Sequence, residues 1–138
     1  MTTRYGRINI AAGLWVMVFF MLYGFLLIYW RDFGPGKEQW IASYNDGAHF
    51  ESRLAHVHGN LFALLNIAFG LVLLNLKVPE TLARWASWLA LGGLLMPLGI
   101  LSEVYLNFAP VLVIVGGVSI TAATVTLAIG AGKAKQAA

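Results

Sequence analysis

The sequence predicts an all-α integral membrane protein, an antiparallel bundle of four transmembrane helices, on three observations. Four stretches reach about 20 apolar residues or more, the length that crosses the hydrocarbon core of a bilayer. Charged residues, 11% of the chain, gather between these stretches and almost never inside them. Hydrophobic residues make up 59% and the mean hydropathy is +0.76, above what an ordinary soluble domain carries. A soluble helical core would leave the clustering of charge between the apolar runs unexplained.

The first span covers residues 8–30 and holds no charge. Its apolar run is too long for a cleaved signal peptide, and "YWRDFGPG" rather than a small-x-small site follows it, so it reads as a retained anchor. An outer loop at 31–53 comes next. "RDFGPGKEQW" carries turn residues, and "EQWIASYNDGAHFES" suits a short helix lying on the membrane surface with Trp40, Ile41 and Tyr44 dipped into the interface. The second span, 54–76, contains histidines but no formal charge. A few residues around Pro79 lead to the third span, 82–106. "NFAP" then turns the chain, with Pro110 suited to the first turn of the fourth span, 108–131. Short connections force antiparallel neighbours, so residues 1–138 read as a single transmembrane domain. Tyr29, Trp30, Trp85, Trp88 and Tyr105 fall near the expected interfaces, as an aromatic belt does.

The net charge of +3 is a topology signal and not a nucleic-acid signal. Arg4, Arg7, Lys77, Arg84, Lys133 and Lys135 all flank one side of the expected bundle. The remaining cations, Arg31, Lys37 and Arg53, share the 31–53 loop with Asp32, Glu38, Asp46 and Glu51. Both termini are therefore expected in the cytoplasm. The chain has no cysteine, which excludes disulfides and thiolate ligation of zinc or haem.

The second span opens with "RLAHVHGNLFALLNIAFG", where His56, His58, Asn60 and Asn66 stand in an otherwise apolar run. Polar groups are costly in hydrocarbon and ask for a reason. The topology puts the start of the second span and the end of the third, with Glu103, Tyr105 and Asn107, at one level. At 1.5 Å per residue that level is roughly the outer 10–12 Å. A helix turns about 100° per residue, so with His56 at zero, Asn60 lies near 40°, Ala63 near 340°, Gly70 near 320° and Asn66 near 280°. With Gly59 they form one small and polar stripe, which leaves room for something flat. His58 lies near 200°, with Phe62, Leu65 and Phe69. The two histidines point apart and cannot share a metal without distortion. Glu103 and Asn107, four apart, share a face, and Glu103 either acts in the site, snorkels to the surface or pairs with Arg53. Haem ligation, proton relay and interhelical hydrogen bonding are all open to such residues.

The layout resembles the styrene oxide isomerase family of small four-helix bacterial membrane enzymes. "RLAHVHGN" is similar to the family's Ala-His segment at the start of its second helix, "LAR" at 82–84 to the opening of its third, and "YLNFAP" at 105–110 to its Asn-Phe-Ser-Pro turn. The resemblance covers most of the chain in order and helix count, through short motifs. It implies haem b held by His56 between protomers of a homo-trimer in the bacterial inner membrane. Gly59, Ala63, Asn66 and His58 would adjoin that cofactor. It implies a small apolar substrate such as an epoxide, rearranged to an aldehyde with iron as Lewis acid and an Asn and a Tyr assisting; Glu103, Tyr105 and Asn60 are the candidate catalytic groups here. The family's tyrosine register falls on Glu103, with Tyr105 two residues nearer the turn. Its asparagine register falls on Phe62, with Asn60 and Asn66 to either side. Two other readings belong to different classes: a non-catalytic small subunit of a larger membrane complex, and a proton- or ion-conducting oligomer.

Overall fold

A computed structural model describes residues 2–134. It contains helices α1 (Thr2–Asp32), α2 (Lys37–Ala42), α3 (Gly47–Asn75), α4 (Glu80–Gly93), α5 (Leu95–Leu106) and α6 (Val111–Lys133). α1, α3, the α4–α5 pair and α6 are the four helices long and apolar enough to cross a membrane. They pack antiparallel, α1 on α3, α3 on α4 and α5, and both of these on α6. The outward faces are apolar almost throughout, with Trp15 75% and Phe25 66% exposed. Such surface suits lipid and not water.

α2, a short helix, lies where a surface helix is expected. The long helices run further than their apolar cores. α3 begins at Gly47, well before Leu54, because hydropathy marks where a helix enters lipid and not where it starts. The third span is not one straight rod. It breaks at Leu94, three residues before Pro97, whose ring cannot accept the regular helical register. α5 ends at Leu106, and Asn107 caps it in the left-handed region at φ 52°. The expected shared face of Glu103 and Asn107 is therefore corrected: Asn107 has already left the helix. Pro110 is the N-cap of α6. Arg4, Arg7, Lys77, Arg84 and Lys133 all fall at the end of the bundle where α1 begins and α6 ends. Lys135 lies outside the described residues.

Small residues set the α1–α3 seam. A Cβ on Gly13 would sit 2.6 Å from the Ala63 carbonyl oxygen, and one on Gly70 would sit 2.5 Å from that of Gly6. Gly59 receives the ring of Phe20, which would be 2.3 Å from any Cβ there. Lipid tails are as apolar as leucine, so close backbone approach and dispersion hold such helices together.

Between these helices lies a buried polar clamp. Asn9 Nδ2 donates to Asn66 Oδ1 at 2.8 Å, and Ser87 Oγ donates to Asn9 Oδ1. Asn66 Nδ2 donates to the carbonyls of Phe62 (3.0 Å) and Ala90 (2.9 Å). The clamp joins α1, α3 and α4 with every side-chain group satisfied. Asn66→Leu is expected to lower detergent stability by about 0.6–1.7 kcal/mol, the usual range for interhelical hydrogen bonds in membranes. An unfolding midpoint in detergent checks it.

Candidate functional site

The small stripe of α3 does not form an open groove. Ala63 and Asn66 are fully buried and Gly59 is buried, all covered by α1. The stripe's smallness leaves room here for a neighbouring helix: Phe20 fills the space at Gly59, and Gly13 closes on Ala63. Asn66 belongs to the clamp described above.

His56 lies at the edge of this seam, half-buried. Its Nδ1 is 2.8 Å from the carbonyl oxygen of Phe20. A carbonyl only accepts, so Nδ1 carries a proton, and in the neutral ring the lone pair is then on Nε2. Gly24 makes space for the ring: a Cβ there would sit 2.6 Å from Cε1. Asn60 Nδ2 donates to the His56 carbonyl at 3.0 Å, which places its amide beside the imidazole. The 3.5 Å approach of Asn60 Nδ2 to His56 Nδ1 brings two donors together and is proximity, not a bond.

Beside His56 is a groove of about 730 Å³. Met21, Phe25, Leu27 and Ile28 of α1 and Ile41 of α2 give it apolar walls, and Arg31, Asp32, Tyr44, His49 and Arg53 form its polar border. That volume is in the range of small-molecule and cofactor sites, which pair apolar walls with a few placed polar groups.

His58 faces away, as its helical angle requires. Its Nδ1 donates to Leu54 of its own helix at 2.9 Å, and its ring meets Phe62 edge-on at 6.0 Å. It does not line the groove.

The expected catalytic set does not converge on His56 within one chain. Tyr105 lies one turn higher, where its hydroxyl is 2.9 Å from that of Tyr23 and 3.4 Å from Ser52 Oγ. This hydroxyl cluster borders a second chamber of about 420 Å³, walled by Trp30 and Trp40. Glu103 is half-buried and lines neither cavity. Among the described residues it forms no ion pair, and Arg53 turns to Tyr44 instead.

Sequence reasoning passed over His49, Tyr23 and Ser52. His49 stacks on Trp40 at 4.1 Å and bonds the Trp40 carbonyl through Nδ1, strapping α2 to α3. Its one visible signal was a histidine amid the aromatics of the loop. Tyr23 sits inside an apolar run where a tyrosine reads as one more hydrophobic residue. Comparison with protein-family models, curated proteins and solved structures gives no match for this chain.

Proposed function

We propose that this chain is a haem-b-binding membrane protein in which Nε2 of His56 would hold the iron. The observation that carries the reading is the Nδ1 bond to the Phe20 carbonyl, which leaves Nε2 as the free basic nitrogen of a ring that lines the apolar groove. Ligating histidines are held this way, their second nitrogen donating to a carbonyl or carboxylate that fixes tautomer and orientation. No three of His, Cys, Asp and Glu lie close enough among the described residues to hold a bare ion. A porphyrin brings its own ring nitrogens and asks the protein for as little as one ligand, which matches a lone imidazole beside an apolar slot.

When bound, haem would supply a Lewis-acidic iron. The chain's own residues set the rest. Phe20 and Gly24 fix the imidazole plane, and Met21, Phe25 and Ile28 give the groove its apolar walls. Asn60 is the one expected catalytic residue next to His56. Glu103 and Tyr105 border a different part of the same end of the bundle. An epoxide isomerase using them with haem therefore needs a second copy of the chain laid against the groove. On that reading the chain works as a homo-oligomer, a trimer by the resemblance, with an epoxide as substrate. The cations gathered where α1 begins and α6 ends support a cytoplasmic placement of both termini in a bacterial inner membrane.

The test is a titration of the detergent-purified chain with haemin. A saturable shift of the haemin Soret band against a detergent-only control is the expected result, and turnover of aryl epoxides to aldehydes by the saturated protein is expected next. A spectrum that stays that of haemin in detergent alone overturns the haem reading; a shifted but inactive one removes the isomerase and keeps the haem.

A further inference from the structure

Arginines at the groove border differ in how their charge is spent. Arg31 is paired with the adjacent Asp32 through two hydrogen bonds, Nε to Oδ1 at 2.9 Å and an Nη to Oδ2 at 2.7 Å. Arg53 has no carboxylate within ion-pair distance among the described residues. It is nevertheless held in place. One Nη donates to the Tyr44 carbonyl at 2.9 Å, and the guanidinium lies over the Tyr44 ring, 3.5 Å from its centre. Stacking and one tether fix the plane of the guanidinium while most of its five N–H donors stay available. Such preorganisation lowers the entropy lost when an anion is gripped, and the planar fork matches a carboxylate.

Position gives this a direction. Arg53 and His56 are three apart on α3, so they share a side of the helix about 4.5 Å apart along its axis. Both line the same groove. Its walls are apolar, its histidine has a free Nε2, and its unspent cation is at the border. We infer that Arg53 anchors a carboxylate on the edge of the ligand held at His56. The inference rests on the haem reading and extends it: the ligand enters with its acidic edge toward the α1–α3 loop, and its apolar edge deeper between Met21 and Phe25.

The full chain in neutral, lipid-free detergent is titrated with ferric protoporphyrin IX and with its dimethyl ester, followed at the Soret band. The ester keeps the macrocycle and iron and loses both acids. Arg53→Gln is expected to weaken binding of the free acid by roughly tenfold, the usual worth of a hydrogen bond to a charged group. The wild-type chain is expected to bind the ester weaker than the acid by a similar factor. Arg53→Gln should then cost the ester almost nothing, because the two changes remove the same contact. Equal wild-type affinity for acid and ester overturns the assignment and needs no variant. An equal loss for both ligands in Arg53→Gln also overturns it, since the arginine would then act on the fold or on a lipid phosphate. No protein-dependent Soret shift with either ligand in the wild-type chain is a different failure and removes the haem reading itself.

Discussion

His56→Ala is expected to abolish the Soret band of the haemin-loaded chain, while His58→Ala leaves it unchanged. Altering only an outer partner of a metal ligand costs about 10–100-fold in affinity, so removing the ligand itself should cost more. The two histidines are two residues apart, equally polar and equally close to the outer end, so composition and depth do not separate them. Geometry does. His56 lines the groove with Nδ1 occupied by the Phe20 carbonyl, whereas His58 is bonded to its own helix on the opposite side. A further variant sharpens the claim. Gly24→Ala would put a methyl 2.6 Å from His56 Cε1, so the ring must swing off its site with no chemistry removed from it. Weakened haemin binding in Gly24→Ala, with the imidazole still present, would show that orientation matters as well as identity. Added imidazole should partly restore the spectrum of His56→Ala, since it can fill the space the side chain leaves. Retention of the band in His56→Ala and its loss in His58→Ala would move the ligand to the other face of α3.

The spans were legible because the cost of placing charge in hydrocarbon is local and shows in a short window of sequence. The angle between His56 and His58 was legible for the same kind of reason, since a helical period needs no knowledge of neighbours. What covers a face was not. Gly59, Ala63 and Gly70 form a small stripe, and smallness alone does not say whether a ligand or another helix fills it; Phe20, Gly13 and Gly6 answer that from a distant part of the chain. The Asn9–Asn66–Ser87 clamp was hidden likewise. Asn9 bonds groups 57 and 78 positions away, and nothing around it in the first span marks it as other than a tolerated amide. Tyr105 was placed at the right end but beside Tyr23 and Ser52 and not His56, because level in the membrane is readable from topology while the side of the bundle is not.

Gly116→Ala and Gly117→Ala, one position apart on α6, are expected to shift stability in opposite directions. In a helix interior alanine is favoured over glycine by about 0.8–1.0 kcal/mol, and both substitutions collect that gain. At Gly117 nothing opposes it: the nearest atom to an added Cβ is Met96 Sδ at 3.9 Å, an ordinary contact with a flexible side chain. At Gly116 the Cβ would sit 2.2 Å from the Met96 backbone nitrogen and 2.7 Å from its Cα. Backbone cannot turn aside as a side chain can. The neighbouring Pro97 and the break at Leu94 fix where that segment of α5 runs, so α6 itself has to move outward. Overpacking of a close seam costs about 1–3 kcal/mol, and here the obstacle is main chain, so the upper end is expected. The loss is not recovered elsewhere, because lipid does not drive separated apolar helices back together as water would. Thermal unfolding of the two variants in the same detergent should give a midpoint below wild type for Gly116→Ala and at or above it for Gly117→Ala. A matched shift of the same sign in both would mean that α6 does not meet α5 through Gly116, and the antiparallel contact that closes this side of the bundle would have to be redrawn.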